Sequence, residues 1–180
     1  MAAIREGEEG AFAALMGRHM ERVRAIGWRM LGSAAAADDL AQDVFLRIWR
    51  RPEMYDPARG RLAAWLSRVA ANACLDRLRA EKGHASLDGA LAETLADPAP
   101  DPEQNALAAD RARRVRAAIS ALPERQRLAI VLSHDLGHTN IEIAGIMETS
   151  VEAVESLLAR ARRKLKERLR GELTGEEKRP

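Results

Sequence analysis

Between Ala85 and Asp110 the chain carries no lysine or arginine, while Asp88, Glu93, Asp97, Asp101, Glu103 and Asp110 all fall there. The same stretch holds Pro98, Pro100 and Pro102 and has weak apolar periodicity. Proline removes backbone donors and like charges repel, so the segment reads as a flexible linker. It divides the 180 residues into two parts, each near the lower size limit for independent folding. The predicted organisation is a front domain over 1–84, an acidic linker over 85–110, a back domain over 111–172 and a disordered tail over 173–180. All six aromatics, Phe12, Trp28, Phe45, Trp49, Tyr55 and Trp65, precede the linker. Two domains that differ this sharply are expected to meet different chemical surfaces.

The chain is 47% hydrophobic but only 3% aromatic, and rich in Ala, Leu and Arg. That mixture favours helices over strands, so the expected fold class is all-α. A formal net charge of +2 supports no global electrostatic argument, so the distribution decides. Residues 160–170 read RARRKLKERLR, with Glu167 the one acid, which suggests that this end meets a polyanion. Cys74 is the single cysteine, which excludes an intramolecular disulfide and a four-cysteine metal site. No apolar run approaches the ~20 residues of a bilayer span, and no basic-then-apolar leader is seen at the start. The expectation is a soluble, cytoplasmic protein without a cofactor, a metal or a small-molecule substrate.

In the front domain, Phe12, Leu15, His19, Val23, Ile26 and Met30 recur at helical spacing, with Gly32 to stop that helix and Ser33 to cap the next. Residues 34–51 predict a helix burying Leu40, Val44 and Ile48, and 52–60 a loop containing Asp56 and Pro57. A third helix over 61–82 is expected to bury Leu62, Leu66, Val69, Ala73 and Leu78. In the back domain, Ala112, Val115, Ile119 and Leu122 form a short stripe. Pro123 then opens a helix through Leu128, Val131 and Leu132 that Gly137 ends. Thr139 and Glu142 make a T-x-x-E capping box, and Ser150 can cap a longer helix carrying Val151, Val154, Leu158, Ala161 and Leu165.

The pattern over 139–165 is that of a helix-turn-helix, whose second helix lies in the DNA major groove with Arg160, Arg163, Lys164 and Lys166 in reach of phosphates. The competing reading is a helical hairpin with a solvated basic tail. On the third front helix, Arg61, Trp65, Arg68, Asn72, Asp76 and Arg79 share a face. An aromatic among arginines and an amide suits unpaired nucleotides, although the same residues also suit a core tryptophan with solvating arginines. Asp39, Gln42, Asp43 and Leu46, with Asp38 beside them, form an acidic flank that reads as a protein-docking face or a solvated one. The run His134-Asp135-Leu136-Gly137-His138 superficially resembles a zinc motif, but Gly137 would end the helix which that motif requires.

Two separate blocks carry a family resemblance. DDLAQDVFLRIWRR (38–51) with RLAAWLSRVAANACLDRLR (61–79) resembles region 2 of the extracytoplasmic-function (ECF) sigma factors of bacterial RNA polymerase. ALPERQRLAIVL (121–132) with TNIEIAGIMETSVEAVESLLARARRKL (139–165) resembles their region 4. The resemblance implies a region 2 helical bundle and a region 4 helix-turn-helix joined by the acidic linker. It implies that Asp39, Gln42, Asp43, Leu46 and Trp49 dock on the β′ clamp helices of core polymerase. By the same resemblance Arg61, Trp65, Asn72, Asp76, Arg77 and Arg79, with the 55–60 loop, capture opened −10 promoter DNA. Ser150, Glu152, Ala153, Glu155, Ser156, Arg160 and Arg163 would read the −35 duplex, with the back domain near the β flap. An anti-sigma factor is the implied regulatory partner.

Glu155 and Leu157 stand where many relatives have basic residues, and Glu148 where glycine is usual, so the −35 sequence read by this chain is left open. Two other functions fit parts of the pattern. One is a dimeric helix-turn-helix regulator that binds a palindromic operator without polymerase. The other is an enzyme using His134 and His138 or the Asp38–Asp43 carboxylates.

Overall fold

The computed structural model describes residues 1–85 and 106–176, with side chains at 1–58, 60–82 and 110–170. Most of the predicted linker therefore lies outside the described residues, as do positions 177–180 of the predicted tail. All regular structure among the described residues is helical. The described residues divide into two compact units, one built on 1–85 with 145–148 and the other on 106–144 with 149–176.

The front unit is a bundle of α2 (Glu9–Leu31), α3 (Ala34–Arg50) and α4 (Leu62–Ala85), preceded by a short α1 (Ala2–Arg5). Each long helix packs on the other two. The α2 apolar stripe buries Leu15, Val23, Ile26 and Met30, while α3 buries Leu40, Val44, Phe45 and Ile48. Gly32 ends α2 at φ +76, a left-handed conformation that costs glycine little. Ser33 follows as the cap of α3, its Oγ accepting the Ala36 N–H at 3.3 Å. Where α2 crosses α3, Gly27 is buried, and a Cβ built there would lie 3.0 Å from the Ala37 Cα. This close approach sets the α2–α3 spacing.

Two short 3-10 turns (Pro52–Met54 and Pro57–Arg59) join α3 to α4. The Asp56 carboxylate accepts the Ala58 N–H at 2.9 Å, the Tyr55 hydroxyl donates to Gly60 O at 3.1 Å, and Arg5 donates to Tyr55 O at 2.7 Å. Two of these bonds brace the loop from within, and the third anchors it to α1. The stripe expected on α4 is partly misplaced. Leu66 is buried as expected, but Leu62, Val69, Ala73 and Leu78 stay half-exposed, and the buried line runs through Ser67, Ala70, Ala71 and Cys74. Small side chains let α4 lie close to its neighbours, and the one hydroxyl among them donates to Ala63 O at 3.0 Å.

The back unit holds α5 (Ala106–Ser120), α6 (Glu124–Ile130) continued by a π-helical turn (Val131–Asp135), most of α7 (Asn140–Ile146) and α8 (Val151–Glu176). Helix α8 packs on α5 and α6. Leu122, Leu128, Val131, Leu132, Ile143, Val154, Leu158 and Ala161 form the core with Ala118 and Ala129, whereas Ala112 lies exposed and Val115 and Ile119 half-exposed. The π turn was not expected. Its widened register lets Leu136 N–H reach Val131 O at 3.2 Å and His138 N–H reach Leu132 O at 3.0 Å, with Gly137 at φ +67 between them. At the far end, α8 continues through residues 173–176, which the sequence reading assigns to the disordered tail. Gly171 and Gly175 lower helix propensity there, but Glu172 and Leu173 restore it.

Candidate nucleic-acid interface

Helix α4 is two-sided. Its buried line occupies one side, and Arg61, Trp65, Arg68, Asn72, Asp76 and Arg79 follow one another at helical spacing along the opposite side. Arg61, Asn72, Asp76 and Arg79 are exposed. Trp65 is half-buried, its ring tilted against Tyr55 with centroids 5.4 Å apart, so the anchored 55–60 loop orients it. Arg79 pairs with Asp76 at 3.1 Å, both in solvent. Arg77, predicted with this group, sits on the other side of the helix. Its guanidinium donates to Ala36 O at 3.1 Å and to the Asp43 carboxylate, both on α3.

On α3 the flank opposite the core presents Asp39, Gln42, Asp43 and Leu46, all exposed, with Leu46 39% accessible. The neighbouring helices hold two of the flank's acids in place. Arg24 of α2 donates to Asp38, which raises the arginine's pKa above its ordinary value, and Arg77 of α4 holds Asp43. Trp49 turns aside from this flank: its ring lies 4.9 Å from Phe12 of α2, and Phe12 makes an edge contact with Phe45 at 6.4 Å. Sequence reasoning missed an open groove of about 500 Å3 lined by Asp43, Leu46, Arg47, Arg50, Arg51 and Met54. The available signal was the run of Arg47, Arg50 and Arg51 beside Met54, and the structure leaves Met54 44% exposed.

In the back unit the capping box closes in both directions. Glu142 N–H donates to Thr139 Oγ1 at 3.3 Å, and Thr139 N–H donates to Glu142 Oε2 at 2.9 Å. The Thr139 backbone N–H holds the Glu142 carboxyl below its ordinary value, aided by the Thr139 hydroxyl and by His138. Ser150 caps α8 by accepting Ala153 N–H at 3.2 Å. Between the two helices Glu148 adopts φ +49. Ile143, Ala144, Ile146 and Met147 are buried before the turn, and Val154 and Leu158 after it. Ser150, Glu152, Glu155, Arg160 and Arg163 are exposed on α8, with Ala153 and Ser156 half-exposed. Arg160 is folded back on Ser156, donating to its carbonyl at 3.2 Å. Glu152 is held below the ordinary carboxylate value by its own backbone N–H and by the Ser150 hydroxyl, so it stays charged at the helix N-terminus. His134 is exposed while His138 is buried 3.6 Å from Glu142, so the two imidazoles occupy different environments. They do not form a shared site.

Comparison with known proteins adds the family. Residues 15–84 match the family model for sigma-70 region 2, and residues 112–165 match that for sigma-70 region 4. The ECF RNA polymerase sigma factor SigK of Mycobacterium ulcerans (strain Agy99) is 30% identical over 164 residues, covering 91% of this chain and 88% of the relative. The chain belongs to the ECF group of the sigma-70 family. SigW of Bacillus subtilis (strain 168), another ECF sigma factor, is 29% identical over 176 residues, covering 93% of each chain. Among solved structures, CnrH in complex with the cytosolic domain of CnrY matches with TM-score 0.67 and 28% identity, covering 94% of each chain. The sigma factor RpoE bound to the anti-sigma factor NepR from Bartonella quintana shares the fold, with TM-score 0.74 at 23% identity, covering 89% of this chain and 97% of that one.

The region 2 match falls in the first unit and covers α3 with most of α2 and α4, and the region 4 match covers the helix-turn-helix and falls in the second unit apart from Gly145–Glu148. In this sigma factor the side of α4 turned away from the core and the N-terminal turns of α8 are the candidate DNA-facing surfaces, and the α3 flank is the candidate docking surface. Among the described residues no helix is long and apolar enough to cross a membrane.

Proposed function

We propose that this sigma factor acts in the cytoplasm by docking on core RNA polymerase through α3 and handling one promoter in two states, parted at −10 and paired at −35. The observation that carries the reading is the two-sidedness of α4. A line of small buried residues seats the helix, which leaves Arg61, Trp65, Asn72, Asp76 and Arg79 together on the side turned away from the bundle core. Unstacking a base costs a few kcal/mol, and stacking on an aromatic returns ~1–3 kcal/mol per base, so a fixed tryptophan flanked by arginines offsets the cost of opening. Tyr55 and the anchored loop hold Trp65 ready for this exchange. The chain needs no chemical step of its own.

Asp39, Gln42, Asp43 and Leu46 supply the contact to the β′ clamp helices, an apolar residue ringed by carboxylates and an amide. Trp49 supports that surface from inside, through Phe12. The back unit lies near the β flap and reads the −35 duplex through Ser150, Glu152, Ala153, Ser156, Arg160 and Arg163, while Glu155 accepts from a cytosine amino group or repels phosphate. That solved relatives were captured with the anti-sigma factor NepR and with the cytosolic domain of CnrY supports an inhibitory partner for this chain as well.

A mobility-shift experiment on promoter duplex, with and without core polymerase, tests the reading. The expected result is weak binding by the chain alone and tight, sequence-specific binding once core is added. Tight binding to a palindromic site without core would instead identify a dimeric regulator.

A further inference from the structure

Arg77 is the one cation predicted for the −10 site that the structure places away from it. The other members of that set lie along the side of α4 turned away from the bundle core, whereas the Arg77 guanidinium reaches across to α3. There it makes two bonds at different heights on the helix. One goes to Ala36 O, in the first turn of α3, at 3.1 Å, and the other to the carboxylate of Asp43 two turns later. The side chain is 30% accessible, and the Asp43 side chain is 67% accessible. A planar fork fixed at two points resists both sliding and rotation of α4 along α3, which a single point charge does not.

We infer that Arg77 is a positioning residue, which fixes the register of the DNA-facing helix against the docking helix, and is not a DNA contact. The inference rests on the proposed roles of α3 and α4. Asp43 belongs to the flank proposed to meet polymerase, so the same carboxylate faces the enzyme on one side and α4 on the other. Docking on α3 is thereby tied to the placement of Trp65 and Asn72 through one ion pair. Burial of Leu66, Ala70 and Cys74 holds α4 in the bundle regardless, so loss of the fork loosens register without unfolding the unit.

Salt dependence separates a positioning residue from a phosphate contact. Each phosphate contact to a single strand contributes about 0.7 to the slope of log affinity against log salt, and a residue that never touches DNA contributes nothing. Holoenzyme assembled with full-length wild type, Arg77→Met, Arg77→Lys and Arg79→Met is titrated with single-stranded −10 oligonucleotide across salt, and promoter opening is followed by permanganate reactivity. Arg77→Met is expected to slow opening about fivefold, the scale of one well-placed ion pair, with the salt slope and the core affinity close to wild type. Arg77→Lys, which can still reach Asp43 but cannot grip both acceptors, is expected to recover part of the rate. Arg79→Met should lower the slope. Melting of each free chain shows that it is folded. A slope reduced in Arg77→Met as in Arg79→Met would make Arg77 a DNA contact and overturn the inference, as would unchanged opening. Wild-type holoenzyme that fails to open any promoter would overturn the functional reading itself, and this role with it.

Discussion

Gly27 and Glu148 are single positions at which backbone geometry decides what side chain is tolerated. At Gly27 a methyl group would press on the α3 backbone, with the Ala37 Cα 3.0 Å from a built Cβ. Gly27→Ala is therefore expected to cost ~1–3 kcal/mol, the usual penalty for overpacking, even though alanine is the better helix former. Thermal melting checks this, and an unchanged or raised midpoint would contradict it. Glu148 presents the opposite case, a side chain held at φ +49, where an L residue is strained. Glu148→Gly is expected to stabilise the chain by about 1 kcal/mol, read in a denaturant titration. The Glu148 departure was legible as a residue type in an unusual place, and its φ explains why the position favours glycine. The crowding at Gly27 was not legible, because it depends on where α3 crosses, and nothing local to α2 records that.

Helix ends were the most readable elements. Gly32, Ser33, Thr139 with Glu142, and Ser150 all cap as their chemistry requires, because capping involves only neighbours within three or four residues. Thr139→Ala should cost ~1 kcal/mol through the lost cap of α7. The pH dependence follows from Glu142, whose folded carboxyl is held below its ordinary value by the Thr139 N–H. Its contribution is complete above the ordinary glutamate value of about 4.3 and is lost as pH falls through the lower folded value. Acid unfolding of Glu142→Gln followed by circular dichroism should show a weaker pH dependence below pH ~4.5 than wild type. Identical acid profiles for the two chains would refute the link.

The element-scale misses have a common origin. On α4 the packed side runs through alanine, serine and cysteine, which carry little hydrophobic signal, so the larger Val69 and Leu78 drew the expected stripe to the edge. The side taken by Arg77 and the inward turn of Trp49 depend on neighbouring helices, which periodicity within one helix does not encode. The π turn over Val131–Asp135 contains no proline or glycine to announce it.

On the scale of the whole molecule, the acidic stretch and the one-sided distribution of aromatics announced two units, and each unit carries one of the two sigma-70 regions. The unit with the aromatics suits unpaired bases, which need stacking surfaces, and the unit without them suits duplex, which is read by hydrogen bonds and charge. This division of labour predicts that Trp65→Ala lowers promoter opening about tenfold, by removing ~1–3 kcal/mol of stacking, while leaving the affinity of holoenzyme for duplex −35 DNA nearly intact. The most direct measurement of the central claim is in vitro transcription from a genomic promoter library, with start sites mapped for core polymerase alone and for core with this chain. Start sites that appear only with the chain, sharing one −10 and one −35 sequence at fixed spacing, are the predicted result. Start sites unchanged by the chain would contradict the account.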